Sequence, residues 1–191
     1  RRTAQGLAAW LTATELPQKC AIGYDSRHNS RRYAEICAVA LAEKGVHVYV
    51  YHELAPTPML SFAVRRLSCS SGVIITASHN PAKYNGYKCY DPEGYQMTDA
   101  AAAAAYEFIQ KVDIFEDVKR MDFEKGLSEG VIEYISEEIS EEFFSAVSSK
   151  VINPDVCKNT DLKIIYTPLN GTGNKPVRKI LDRLGIKNVK V

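Results

Sequence analysis

The hydrophobic positions of this chain change period several times, and the changes mark out its elements. "KCAIGYD" (19–25) is a short apolar run ending at Asp25 and reads as a strand. In "NSRRYAEICAVALAEKG" (29–45), Tyr33, Ile36, Cys37, Ala40 and Leu41 recur at helical spacing, and Gly45 supplies a stop. "VHVYVY" (46–51) returns to strand, "TPMLSFAVRRL" (57–67) to a helix with Pro58 in its first turn, and "SGVIIT" (71–76) to strand. Strands that alternate with helices of about 10 to 15 residues predict βαβ units and a largely parallel sheet covered by helices.

Further on, the Asn85-Gly86 pair between "KY" and "YKCY" is a strong hairpin signal, so an antiparallel element is expected and the sheet should be mixed. Thr98 can cap a helix through "DAAAAAAYEFIQKV", whose six alanines are good helix formers. A charged, turn-rich stretch from Asp113 to Gly130 then leads to "YISEEISEEFFSAVSSKV" (134–151). There Ile135, Ile139, Phe143 and Val147 repeat every fourth position and predict an amphipathic helix. After Pro154 the pattern restarts, with "LKIIYT" as strand, "PLNGTGNK" as turn, "PVRKILDRLG" as helix and "KNVKV" as a last strand. One helix on one or two strands buries too little surface to close a core, so this part reads as the opening of a second domain. The expected fold class is α/β: a mixed, mostly parallel sheet sandwiched between helices over residues 1–133, with a linker helix and an incomplete second α/β unit over 134–191.

Composition narrows the function classes. With 46% hydrophobic residues the chain can bury a real core, and a net charge of +1 with a pI near 7.8 offers no long-range field for nucleic acid or an anionic membrane. Anion binding, if present, must be local. No apolar run approaches the roughly 20 residues of a membrane span, and the first residues lack a long apolar leader core. Cys20, Cys37, Cys69, Cys89 and Cys157 are odd in number, widely spaced and without a CxxC pair. They read as reduced, partly buried thiols of a cytoplasmic protein rather than a disulfide framework or zinc site.

The candidate chemistry lies in "GVIITASHNPAKYNGYK" (72–88), where an apolar strand runs into Ser78, His79, Asn80 and Pro81 and Lys88 follows. A nucleophile elbow needs glycine two residues either side of its serine; here those positions are Thr76 and Asn80. In extended backbone His79 would also point away from Ser78, so a serine-histidine-acid triad is not expected. Two readings remain open on the residues alone. In one, Ser78 carries a phosphoryl group, which would want donors and cations such as His79, Lys88 and the turn amides. In the other, Ser78 and Asn80 merely cap backbone groups of an ordinary turn. "LNGTGNKP" (169–176) follows a strand and opens a helix, as anion-holding loops do, but it matches neither glycine-rich phosphate motif. "DSRHNSRR" (25–32) sets Arg27, Arg31 and Arg32 around a helix start; Arg31 and Arg32 read as a solvated basic face.

Taken together, "GVIITASHNPAKYNGYK", "IGYDSRHNSRRYAE", "ELAPTPMLSFAVRRL" and "LKIIYTPLNGTG" resemble the α-D-phosphohexomutase superfamily, in its phosphoglucomutase and phosphomannomutase branch. The resemblance runs from about Thr3 to the end and implies domain I with the start of domain II. It implies that Ser78 is phosphorylated at rest, that its phosphate is one ligand of Mg²⁺, and that His79, Asn80 and Lys88 lie beside the transferring phosphoryl group. It further implies a sugar phosphate substrate, interconversion of hexose 1- and 6-phosphate (glucose favoured, mannose possible), and a hexose 1,6-bisphosphate intermediate that also serves as activator. A phosphopentomutase, or a non-catalytic sugar-phosphate-binding module, is the alternative. No D-x-D-x-D occurs in the chain, so the remaining metal ligands are expected elsewhere and the chain alone is expected to fold in its first domain without turnover.

Overall fold

The computed structural model describes residues 1–117 and 121–191. They form two compact units, Arg1–Ile135 and Ser136–Val191. The first unit runs α1 (Arg2–Thr12), β1 (Lys19–Tyr24), α2 (Ser30–Ala42), β2 (His47–Val50), α3 (Thr57–Arg66), β3 (Ser71–Ile75), β4 (Tyr87–Tyr90), α4 (Asp99–Lys111), α5 (Phe123–Ser128) and β5 (Ile132–Tyr134).

Its strands form one sheet in the order β4-β3-β1-β2-β5. β1 pairs in parallel with β2 and β3, β2 in parallel with β5, and β3 antiparallel with β4. The sheet is thus mixed and mostly parallel, as the strand-helix alternation predicts. The chain moves from β1 outward to β2 and then crosses back over β1 to β3. Right-handed crossovers in opposite directions place α2 and α3 on opposite faces, and their contacts agree: α2 packs with α1, α5 and the sheet, α3 against β1 and β3.

The two-residue period of the strands divides the core. Cys20, Ile22 and Tyr24 of β1, Val48 and Val50 of β2, Val73 and Ile75 of β3 and Ile132 of β5 join Leu7, Leu11, Ala38 and Leu41 in one buried cluster on the α1/α2 face. The alternate positions face α3, where space is short. A Cβ built on Gly72 would stand 2.5 Å from Val64 Cγ2 and 3.6 Å from Leu60 Cγ, so glycine lets the helix lie directly on β3.

Several boundaries differ from the sequence reading, each for a physical reason. Helix α1 was not expected, although Ala4, Leu7, Ala8 and Leu11 keep the i, i+3, i+4, i+7 spacing of a buried stripe. The expected charged turn region contains α5, whose first turn is held by Asp122 accepting from the Lys125 amide; Val118 to Arg120 of that region lie outside the described residues. Tyr134 ends strand β5 rather than opening a helix, because residues 132–134 find pairing partners on β2. The antiparallel pairing of β3 with β4 occurs, but Asn85-Gly86 is not its two-residue turn. Neither residue has the positive φ that such a turn requires, and the connection spans Thr76 to Gly86. Thr98 caps α4 as expected, accepting from the Ala101 amide.

In the second unit, α6 (Glu137–Ser148) is followed by α7 (Pro154–Lys158), β6 (Ile164–Ile165), α8 (Asn174–Arg183) and β7 (Val189–Lys190), with β6 and β7 parallel. Phe144, not Phe143, is the buried aromatic of α6, and Ile135 belongs to the first unit. Glu141 accepts from Lys179 and Arg183 of α8, and both cations also lie over the Phe144 ring, at 5.1 and 5.6 Å. Among the described residues no helix is long and apolar enough to cross a membrane.

Two outcomes are expected. Val64 is β-branched and cannot swing away within a helix, so Gly72→Ala should lower the unfolding free energy by about 1–3 kcal/mol. Urea unfolding should report this as a lower midpoint at unchanged slope. Burial pushes the Cys37 thiol from 9.0 up to about 11 and the Cys69 and Cys89 thiols up to about 12. The fold therefore favours the protonated thiols, and their contribution is complete below pH 9 and lost as pH rises through 11 to 12. The urea midpoint should accordingly decline above pH 9, and Cys37→Ala should decline less steeply.

Candidate active site

Open α/β sheets hold ligands beyond the carboxyl ends of their strands, where the chain reverses its direction of progress. In this sheet that place is where the loops after β1 and β3 meet. The β1 loop supplies Asp25 and Arg27, the β3 loop Thr76 and Ser78, and β4 supplies Lys88.

Ser78 sits at the apex of an exposed turn, three residues past the end of β3, with φ at 53°. A non-glycine residue in this left-handed region carries strain of order 1–3 kcal/mol, which surrounding contacts must hold in place. The backbone here is therefore not extended, contrary to the expectation from the strand pattern, and the sharp turn of an elbow is made without its flanking glycines. Thr76 makes this possible. Its Oγ1 accepts from the Ser78 amide at 3.0 Å while its hydroxyl donates to Asp25 Oδ2 at 2.6 Å.

Asp25 collects the loops. Oδ1 accepts from the Arg27 amide at 3.0 Å and from the Ser30 hydroxyl at 2.7 Å, and Oδ2 accepts from Arg27 Nε at 3.1 Å as well as from Thr76. The Ser30 Oγ in turn accepts from Asn85 Nδ2 at 2.8 Å, which ties the far end of the turn to the start of α2. Gly86 follows because the strand passes close by: a Cβ there would stand 2.6 Å from the Thr76 carbonyl oxygen. The Thr76 amide donates to the Gly86 carbonyl at 3.1 Å and closes the base of the loop.

Of the residues singled out from sequence, Ser78 and Lys88 are brought together: Lys88 Nζ donates to Ser78 Oγ at 3.0 Å. Register explains it, since Lys88 pairs with Ile74 across the antiparallel strands and its side chain reaches along the sheet end toward the serine. His79 and Asn80 lie exposed on the same turn, and the Asn80 amide donates to the Ala77 carbonyl at 3.1 Å. Arg31 and Arg32 are exposed, and Arg31 pairs with Glu35 at 2.9 Å on the surface of α2, as a solvated face requires. Arg27 is different, with its side chain only 9% exposed and its guanidinium turned into the turn.

The support shell of Asp25, Thr76, Ser30 and Asn85 was not singled out beforehand. The only signal was an acidic residue at a strand end followed by arginine two and serine five positions later, the spacing of a side-chain-capped loop. Among the described residues no three His, Cys, Asp or Glu side chains converge to hold a metal ion, and the Asp25 carboxylate already accepts from four donors. By themselves these residues do not fit a Mg²⁺ site.

The domain thus carries an exposed serine with positive φ at the switch point of its sheet, with a lysine on its hydroxyl. The model of the phosphoglucomutase/phosphomannomutase α/β/α domain I matches residues 1–114, and the chain belongs to that family. A phosphoglucomutase of Staphylococcus saprophyticus is 35% identical over 188 residues, and one of Staphylococcus epidermidis is 36% identical over 185. These alignments cover 98% and 96% of this chain but 34% and 33% of the relatives, so the chain spans about a third of their length. A Thermus thermophilus protein, provisionally assigned as a phosphomannomutase, has the same fold with a TM-score of 0.82 at 24% identity over 99% of this chain and 40% of its own. The Paramecium phosphoglucomutase pp63/parafusin, in its open form, gives a TM-score of 0.73 at 18% identity, over 98% of this chain and 39% of its own.

Thr76→Val keeps the shape of the side chain and removes both hydrogen bonds. Since one of them is made to a charged group, the loss should be about 1.5–3 kcal/mol. It is expected as a lower urea midpoint, whereas an unchanged midpoint would show that the turn holds itself.

Proposed function

We propose that the longer protein carrying this chain is a phosphohexomutase that interconverts hexose 1-phosphate and hexose 6-phosphate, with glucose favoured over mannose, through a phosphorylated Ser78. The observation that carries this reading is the placement of Lys88 Nζ at 3.0 Å from the Oγ of an exposed, conformationally strained serine. No histidine-carboxylate relay is needed. Phosphoryl transfer depends chiefly on positioning and on neutralising charge as it moves among oxygens.

In the forward half-reaction a sugar hydroxyl oxygen forms a bond to phosphorus while the Ser78 Oγ–P bond breaks. The electron pair of that bond stays on Oγ, where Lys88 donates a hydrogen bond to the growing negative charge; the proton of the sugar hydroxyl leaves to solvent. The bisphosphorylated sugar then turns over in the site, and its other phosphate returns to Oγ by the reverse step. In this reading His79 and Asn80, exposed on the same turn, would meet the phosphoryl oxygens. A Mg²⁺ ion would supply further positive charge; from this chain its one ligand would be an oxygen of the Ser78 phosphate.

The full-length protein should carry one phosphoryl group by intact mass, absent from Ser78→Ala, and turnover of glucose 1-phosphate should disappear with it. Lys88→Met should lower kcat by roughly 10²–10³-fold, the usual cost of removing one donor from a developing oxyanion. An unmodified protein with full activity would sink the phosphoserine reading. Faster turnover of a pentose phosphate than of either hexose would replace the substrate.

A further inference from the structure

The β3–β4 connection exposes a continuous run, Ser78 to Tyr84, yet Ser78 must be held at φ 53° for Lys88 to meet its Oγ. Bonds within the run are few and local: the Asn80 amide to the Ala77 carbonyl at 3.1 Å and the Tyr84 amide to the Pro81 carbonyl at 3.0 Å. Such a loop would open readily, because little apolar surface is buried beneath it.

One side chain spans it. Arg27 Nη2 donates to the Ser78 carbonyl, and Nη1 donates to the carbonyls of Pro81 at 2.8 Å and Tyr84 at 3.3 Å. Nε faces the other way, to Asp25 Oδ2 at 3.1 Å, so the guanidinium joins the β1 loop to three carbonyls spread along the turn. Its side chain is 9% exposed beneath residues that are themselves exposed: the loop is folded over the cation. Asp25 neutralises the charge, and three of the four remaining N–H donors are engaged by the loop. That leaves Arg27 poorly suited to capture a substrate phosphate, the use its place in a basic stretch suggests.

We infer that Arg27 is a positioning residue, a clamp that fixes the reactive serine by holding the Ser78, Pro81 and Tyr84 carbonyls on one guanidinium plane anchored to Asp25. The role needs the planar fork rather than the charge. A lysine ammonium is a compact point donor on a flexible stem and cannot reach three carbonyls and a carboxylate at once. The inference rests on the proposed mutase reading for its catalytic consequence, but its structural half does not.

The test compares the full-length protein with Arg27→Ala and Arg27→Lys, and with Arg31→Ala as a surface control, by amide hydrogen exchange and by kinetics on glucose 1-phosphate. Both Arg27 variants are expected to exchange faster in residues 77–86 while β1 and β3 stay protected, and to lose roughly 10²-fold in kcat, the scale of a 1 Å misplacement, with KM little changed. Arg31→Ala should match the parent protein. Wild-type kcat and exchange in Arg27→Lys would overturn the clamp in favour of charge alone. A raised KM at unchanged kcat would make Arg27 a phosphate ligand instead. Loss of protection throughout the sheet in both variants would make it a general stabiliser. Absence of mutase turnover in the parent protein would remove the proposed function, and the exchange comparison would still decide the clamp.

Discussion

The Asp25 carboxylate is the point on which the geometry of the site depends. It stands at the end of β1, half-buried, and accepts from donors that arrive from three directions: its own loop, the first residue of α2, and the threonine that follows β3. Ser30 is fixed by α2 and Thr76 directly follows β3, so the carboxylate passes the rigidity of helix and sheet to a loop that has little of its own. Hydrogen bonds to an ionised acceptor are roughly twice as strong as neutral ones, and at 15% exposure water competes poorly for this one. The strain stored at Ser78 is tolerable because this network over-determines the turn.

The topology explains why the network forms here. Crossing back from β2 over β1 to β3 leaves the ends of β1 and β3 side by side, the first leading into α2 and the second into the turn that returns as β4. The loops meet there without disturbing the packing, since the strands below remain buried: every residue of β3 and all but Lys19 of β1 are buried. The antiparallel β4 then returns along β3 and brings a lysine back to the same rim. The sheet and helices thus provide a buried platform, and Ser78 sits on an exposed segment, residues 78–84, at its rim.

Much of this was legible in the chain, and the part that was not has a common cause. Strands β1 to β3 and helices α2 to α4 announce themselves because period, glycine stops and the Thr98 cap are local properties. Ser78 and Lys88 could be singled out because their motif is contiguous. Strand β5 could not: it is three residues long with a single buried side chain, Ile132, and is a strand only because β2 is beside it. Asn85-Gly86 misled for the same reason, since Asn85 reaches back 55 residues to Ser30 and the backbone at Gly86 lies against the Thr76 carbonyl. The Thr76–Asp25 bond joins residues 51 apart, a pairing that no spacing rule contains. Arg27 was visible as a cation, but three of its partners are carbonyls, which every sequence has and none displays.

The distribution of thiols offers an experimental handle. Four of the five cysteines lie in the first unit; Cys20, Cys37 and Cys69 are buried, and Cys89, half-buried on β4, resists ionisation up to about 12. Cys157, on α7, is partly accessible and belongs to the second unit. A maleimide spin label or fluorophore added near neutral pH should therefore attach at Cys157 without any cysteine being replaced. The chain comes ready for site-selective spectroscopy of its second unit, with Ser78 and the whole sheet that supports it left chemically untouched.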